Sequence, residues 1–118
     1  GRSLYIPDYH FNSLNEIPKS LYVKLSLELA DITEKLQSIL RADLMNIAMF
    51  SNKIRHIHWH IIPRYEGDEN WGESPWPMKQ VDLPENEFAD LRNGIQSNLI
   101  SYARNDFLST PSKVCRQH

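Results

Sequence analysis

An α+β fold built on an antiparallel sheet is predicted by three observations: two long stretches with apolar residues at helical spacing, three short β-prone runs, and a short polar connection that joins two of those runs as a hairpin. The elements run strand, helix, strand, strand, helix. With 118 residues, 41% of them hydrophobic, the chain is long enough for one domain with a core of several elements. Its one cysteine, Cys115, excludes an intrachain disulfide framework.

The first strand rests on Leu4, Tyr5 and Ile6, a run that stops at Pro7-Asp8. From residue 18 to about 40, Leu21, Leu25, Leu29, Ile32, Leu36 and Ile39 recur in steps of four and three, the stripe of an amphipathic helix. Pro18 suits its first turn, and Lys24, Glu28, Glu34 and Lys35 lie off the stripe, on the expected solvent face. Residues 44–50 and 54–62 read as strands separated by Ser51-Asn52-Lys53, and Pro63 is expected to end the second because it cannot donate a ladder hydrogen bond. The loop over residues 66–84 holds Trp71, Pro75, Trp76 and Pro77 and is long for a compact domain, which points to a functional or interface role; Trp71 and Trp76 either pack in the core or cover a ligand or a partner subunit. Its Glu66, Asp68, Glu69 and Glu73 read as a polar loop rather than a metal cluster, and Arg64, which could meet a phosphate, reads rather as a solvated residue beyond a strand end. The last helix spans about 85–104, with Phe88, Leu91, Ile95, Leu99 and Tyr102 on one face. Beyond Asn105 the tail reads as frayed and Cys115 as inert.

Charge narrows the function classes. Thirteen basic against fifteen acidic side chains give a net charge of −2, which argues against a nucleic-acid binder that works by bulk electrostatics, although a nucleotide's phosphates can be met locally. No run of about 18 apolar residues is present, and the N-terminus lacks a signal-peptide pattern. The expectation is a cytoplasmic protein with neither nucleic acid nor membrane as partner.

Three of the five histidines, His56, His58 and His60, fall within five residues. On a strand they would share one face, with Ile57, Trp59 and Ile61 on the other, buried side. Neighbours about 6.6 Å apart along the strand can converge on one small group, such as a phosphate or a metal ion. Three readings follow: ordinary histidines, a zinc site that lacks a clear further ligand, or an imidazole nucleophile flanked by groups that hold phosphoryl oxygens.

The full pattern, His56-Ile57-His58-Trp59-His60-Ile61-Ile62 followed by Pro63-Arg64, resembles the signature of the histidine triad (HIT) family of nucleotide hydrolases and transferases. Leu4-Tyr5-Ile6-Pro7-Asp8-Tyr9-His10 is similar to the family segment that delivers a fourth active-site histidine, here His10. The order of the remaining elements is most like the bacterial diadenosine-polyphosphate hydrolase-like branch. The resemblance implies a HIT-like fold and a commonly homodimeric enzyme. It also implies attack by His58 on the α-phosphorus of a dinucleoside polyphosphate or nucleoside phosphoramidate, giving a covalent nucleotidyl-histidine that water then hydrolyses. His58 must then keep one ring nitrogen bare, and its other nitrogen should donate to a main-chain carbonyl near His56. His60 and His10 would contact the phosphate, with protonated imidazole assisting the leaving group, and His56 would support the strand. No cofactor is required on this reading. The alternative is a nucleotide- or zinc-binding module with little or no catalysis.

Departures from the family bear on specificity. Where many members have Gly-Gln-Ser or Gly-Gln-Thr before the triad, this chain has Ser51-Asn52-Lys53: Asn52 can replace the glutamine amide, and Lys53 is either a point charge that reaches a polyphosphate or a solvated loop lysine, so these two are the candidate phosphate-binding residues. Phe50 stands where many members have asparagine. Residues 1–118 are expected to form a single HIT-like domain without the strand hairpin that usually precedes the first histidine segment, so residues contacting the nucleoside are left unassigned.

Overall fold

The structure, a computed structural model, describes residues 2–77, 84–105 and 113–116. Strand β1 (Ser3–Ile6) is followed by a 3₁₀ turn over Leu14–Glu16 and then by the long helix α1 (Lys19–Leu40). Pro18 is the N-cap rather than a residue of the first turn. Helix α1 ends at Arg41, which takes the left-handed conformation (φ 50°, ψ 42°), while Ala42 N–H closes back on the Gln37 carbonyl. That reversal feeds β2 (Leu44–Ala48), which is followed by β3 (Trp59–Arg64), α2 (Glu85–Asn105) and β4 (Lys113–Arg116).

The sheet order is β2-β3-β1-β4, and every neighbouring pair is antiparallel. An antiparallel sheet with helices is the α+β class that the sequence implies. One face of the sheet packs on α1: Tyr5, Ile57, Trp59 and Ile61 meet Ile17, Leu25, Ile32 and Leu36 in the core, and Ile95 of α2 joins them. Each of these large apolar side chains contributes about 1.5–3 kcal/mol through its removal from water. Of the remaining α1 stripe, Leu21, Leu29 and Ile39 pack against the core half-buried.

Four expectations about the elements are corrected. The third strand begins at Trp59, not near residue 54, so the β2–β3 connection covers residues 49–58 and His56 and His58 precede the strand. Pro63 does not end β3, which runs on to Arg64. The Arg64 carbonyl accepts from Asp43 N–H, so Arg64 bonds toward β2 and Pro63 faces the β1 side, beyond the last β1–β3 pair, Ser3 with Ile61. Among the described residues no ladder bond is lost there. Residues 113–116 are not frayed, since β4 pairs with the whole of β1, placing Cys115 opposite Leu4. Finally, Glu28 is on the buried side of α1, where its carboxylate accepts a hydrogen bond from the Tyr5 hydroxyl. Helix α2 matches its expected span, and the side chains of Phe88, Leu99 and Tyr102 lie outside the described residues, as do residues 78–83 of the long loop and His118.

Candidate active site

The histidines are assembled by one backbone bond between distant segments. After β1 the chain bends at Asp8–Tyr9, and the Phe11 carbonyl accepts from Ile57 N–H at 2.9 Å, tying the His10 segment to the start of the triad. The His10 and His56 rings are thereby brought together, with their Nδ1 atoms 3.1 Å apart. Two such nitrogens share one proton: one donates and the other accepts, and the accepting ring then carries its own proton on Nε2. The pair therefore always offers at least one Nε2–H donor.

His58 is oriented by the backbone of the same segment. Its Nδ1 lies 2.7 Å from the His56 carbonyl oxygen, which can only accept, so Nδ1 carries the proton and Nε2 of the neutral ring is bare. This is the tautomer that the sequence reading requires of a nucleophile. His58 and His60 meet edge to face with ring centroids 5.0 Å apart, as residues on one side of an extended chain do.

His60 occupies a drier place than an open cleft. Only 8% exposed, it packs against Phe50 (6.0 Å between centroids) and Trp76 (5.4 Å). Burial, then the charge of Arg2, then His58 push its pKa down from 6.5 to about 4. His60 is accordingly neutral at pH 7 in the free protein. Its Nδ1 and the Ser51 hydroxyl are buried without a hydrogen-bond partner among the described residues.

Arg64 is not solvated. It is 3% exposed on the same side of β3 as His60, donating to Asn46 Oδ1 (2.8 Å), Asp68 Oδ2 (3.2 Å), the Glu73 carbonyl (3.1 Å) and the Asn70 carbonyl. The arginine thus binds residues 68–73 of the loop to the sheet, and this loop carries Trp76 to His60. No pattern in the sequence marks the side chain as buried; the nearest signal is the run of polar and acidic residues just after it. Trp71 is 39% exposed, so it is not a core residue, and Trp76 is half-buried. Asn52 and Lys53 both lie exposed on the 49–58 connection. Among the described residues no group of three His, Cys, Asp or Glu side chains sits together so as to hold a metal ion, and no helix is long and apolar enough to cross a membrane.

Comparison with known proteins agrees with this arrangement. The family model for the HIT domain matches residues 2–67. An uncharacterized HIT-like protein of Methanocaldococcus jannaschii is 32% identical over 93 residues, covering 72% of this chain and 68% of its own. The adenylylsulfatase HINT3 of Arabidopsis thaliana is 28% identical over 106 residues, covering 86% of this chain and 53% of its own; the chain thus spans about half the length of that plant protein. Among solved structures, a histidine triad protein from Sinorhizobium meliloti aligns with a TM-score of 0.71 at 25% identity, over 82% of this chain and 73% of that one. A histidine triad protein from Marinobacter aquaeolei shares the fold with a TM-score of 0.73 at 24% identity, over 85% and 74% of the two chains. Sequence, strand order and histidine geometry converge, and the chain belongs to the histidine triad (HIT) domain family.

Proposed function

We propose that the protein is a nucleotide hydrolase or transferase acting at the α-phosphate of a nucleoside phosphate derivative, a dinucleoside polyphosphate or a nucleoside phosphoramidate, through a nucleotidyl-histidine on His58. The observation that carries this reading is the 2.7 Å bond from His58 Nδ1 to the His56 carbonyl, which leaves Nε2 as the bare nitrogen. Family membership and the likeness to an adenylylsulfatase support chemistry on nucleotides generally.

In the first step Nε2 of His58 attacks the α-phosphorus and the bond to the leaving group breaks. The ring becomes a phosphoryl-imidazolium whose positive charge is stabilised by the Nδ1–H bond to the His56 carbonyl. A proton reaches the leaving group from an Nε2–H of the His10–His56 pair, the donors in the site that lie outside the dry His60 corner. In the second step water attacks phosphorus and gives its proton back to the His10–His56 pair, the P–N bond breaks, and nucleoside monophosphate leaves with His58 restored. Asn52 and Lys53, both exposed on the connection that leads into the triad, would supply an amide donor and a point charge for the polyphosphate.

The test is turnover of diadenosine tetraphosphate and adenosine 5′-phosphoramidate, with intact-mass detection of an adenylyl adduct after rapid alkaline quench. Wild-type protein should accumulate the adduct, and His58→Ala should lose both adduct and turnover. Full activity in His58→Ala would sink the reading.

A further inference from the structure

Phe50 takes no part in the steps above, yet it is held beside the chemistry. Its ring meets Trp76 nearly perpendicularly (5.0 Å, 88°) and His60 at 6.0 Å, and Trp76 in turn meets His60 at 5.4 Å and 78°. Ordinary core packing would bury all three rings. Here His60 is buried, Trp76 is half-buried, and Phe50 remains 50% exposed. An aromatic residue clamped by edge contacts and still half open offers a preformed surface for another flat ring. A second observation concerns polarity. His60 Nδ1 is buried without a hydrogen-bond partner among the described residues, and so is the hydroxyl of Ser51, adjacent to Phe50 in the chain. The unpaired ring nitrogen of His60 belongs to that aromatic corner, which favours an occupant that is flat and also carries hydrogen-bonding groups. Inorganic phosphate or sulfate meets only the second of those requirements and a lipid tail neither, whereas a nucleobase meets both.

We propose that Phe50 and Trp76 form a stacking shelf for a nucleobase carried by the substrate, next to the phosphate at His58. The inference rests on the nucleotide reading above and adds the specificity element that the sequence left unassigned. The base has two sources: the nucleoside transferred to His58, or a second nucleoside in the leaving group.

Diadenosine tetraphosphate carries a base on both sides of the reacting phosphorus, and adenosine 5′-phosphoramidate only on the transferred side, so the two substrates separate the sources. In Phe50→Ala and Trp76→Ala, a leaving-group base on the shelf lowers kcat/KM for the dinucleotide about five- to a hundredfold more than for the phosphoramidate, the range that base stacking spans. A transferred base on the shelf lowers both by that factor together. Either result supports the shelf. Values within about twofold of wild type for both substrates overturn it. Phe50→Tyr, which keeps a stacking ring, should retain near wild-type specificity, and Phe50→Leu, which keeps apolar bulk alone, should behave like Phe50→Ala; equal performance of the tyrosine and leucine variants also overturns it. Because Phe50 is half exposed, its variants remain informative even if Trp76→Ala does not fold. If the wild-type protein turns over neither substrate, the enzymatic reading has failed, and calorimetric binding of AMP decides the shelf: weakening in Phe50→Ala supports it, and equal affinity overturns it.

Discussion

His10 Nδ1 and His56 Nδ1 stand 3.1 Å apart although 46 residues separate them in the chain. Neither ring could be placed by its own element, since His10 lies beyond the end of β1 and His56 before the start of β3. The bond between Ile57 N–H and the Phe11 carbonyl brings the two irregular segments together, and the shared proton then fixes the rings. His10→Ala should therefore lower kcat by about 10²–10³-fold, the range for removal of a donor aimed at developing charge. Stability should change by less than about 0.5 kcal/mol, because His10 is exposed. His10→Asn, whose amide can replace one partner of the pair, should recover part of the loss. Steady-state kinetics beside urea unfolding separates the two effects.

The depressed pKa of His60 makes a pH prediction with a definite sign. Unfolded, His60 takes up a proton near its ordinary value of 6.5, and in the fold only at about 4. Between those values the unfolded state binds more protons, so the contribution is complete above pH 6.5 and is lost as pH falls toward 4. The urea midpoint of the wild type should drop across this window more steeply than that of His60→Asn. Ring resonances of His60 followed by NMR should titrate near pH 4; titration near 6.5 would show that the corner formed with Phe50 and Trp76 is wet.

The local elements and the histidine signature were legible because each rests on a short-range pattern. The four-three stripe of α1 places Leu25, Ile32 and Leu36 in the core, and the alternation of the triad puts Ile57, Trp59 and Ile61 there too. What the sequence concealed depends on partners distant in the chain. Glu28 looks solvated on a helical wheel, and the hydroxyl of Tyr5, 23 residues away, is a partner that helps to make its burial tolerable. Arg64 looks like a strand-end cation, and its partners lie on β2 and on a loop with no periodicity. Strand β4 escaped because Val114 and Cys115 form too short an apolar run to stand out, and only an open edge of β1 completes it.

The buried pair of Tyr5 and Glu28 joins β1 to α1 directly beneath the triad, for Tyr5 also packs on Trp59 at 5.5 Å. Tyr5→Phe keeps the ring and removes the donor, leaving a buried carboxylate with one hydrogen bond fewer. The expected cost is about 1.5–3 kcal/mol, the value of a hydrogen bond to a charged group. Glu28→Gln, which can still accept from the hydroxyl, should cost less. Denaturant midpoints at constant slope would show this ordering, and a Tyr5→Phe protein as stable as the wild type would mean that the carboxylate is otherwise satisfied.

Arg64 connects stability to the active site by a different route. Its guanidinium is the point at which Asn46 of β2, the Asp68 carboxylate and the carbonyls of Asn70 and Glu73 meet, so its removal frees the loop as well as a buried polar cluster. Arg64→Met retains the apolar stem and should cost about 2–4 kcal/mol. Arg64→Lys keeps the charge but cannot reproduce a planar fork with several donors, so it should recover only a fraction of this. The two variants should also loosen Trp76 from His60. Because burial is the main reason for the low pKa of His60, that value should rise from about 4 toward 6.5 in both. A His60 resonance that still titrates near 4 in a folded Arg64→Met protein would show that the aromatic corner holds together without the arginine clamp.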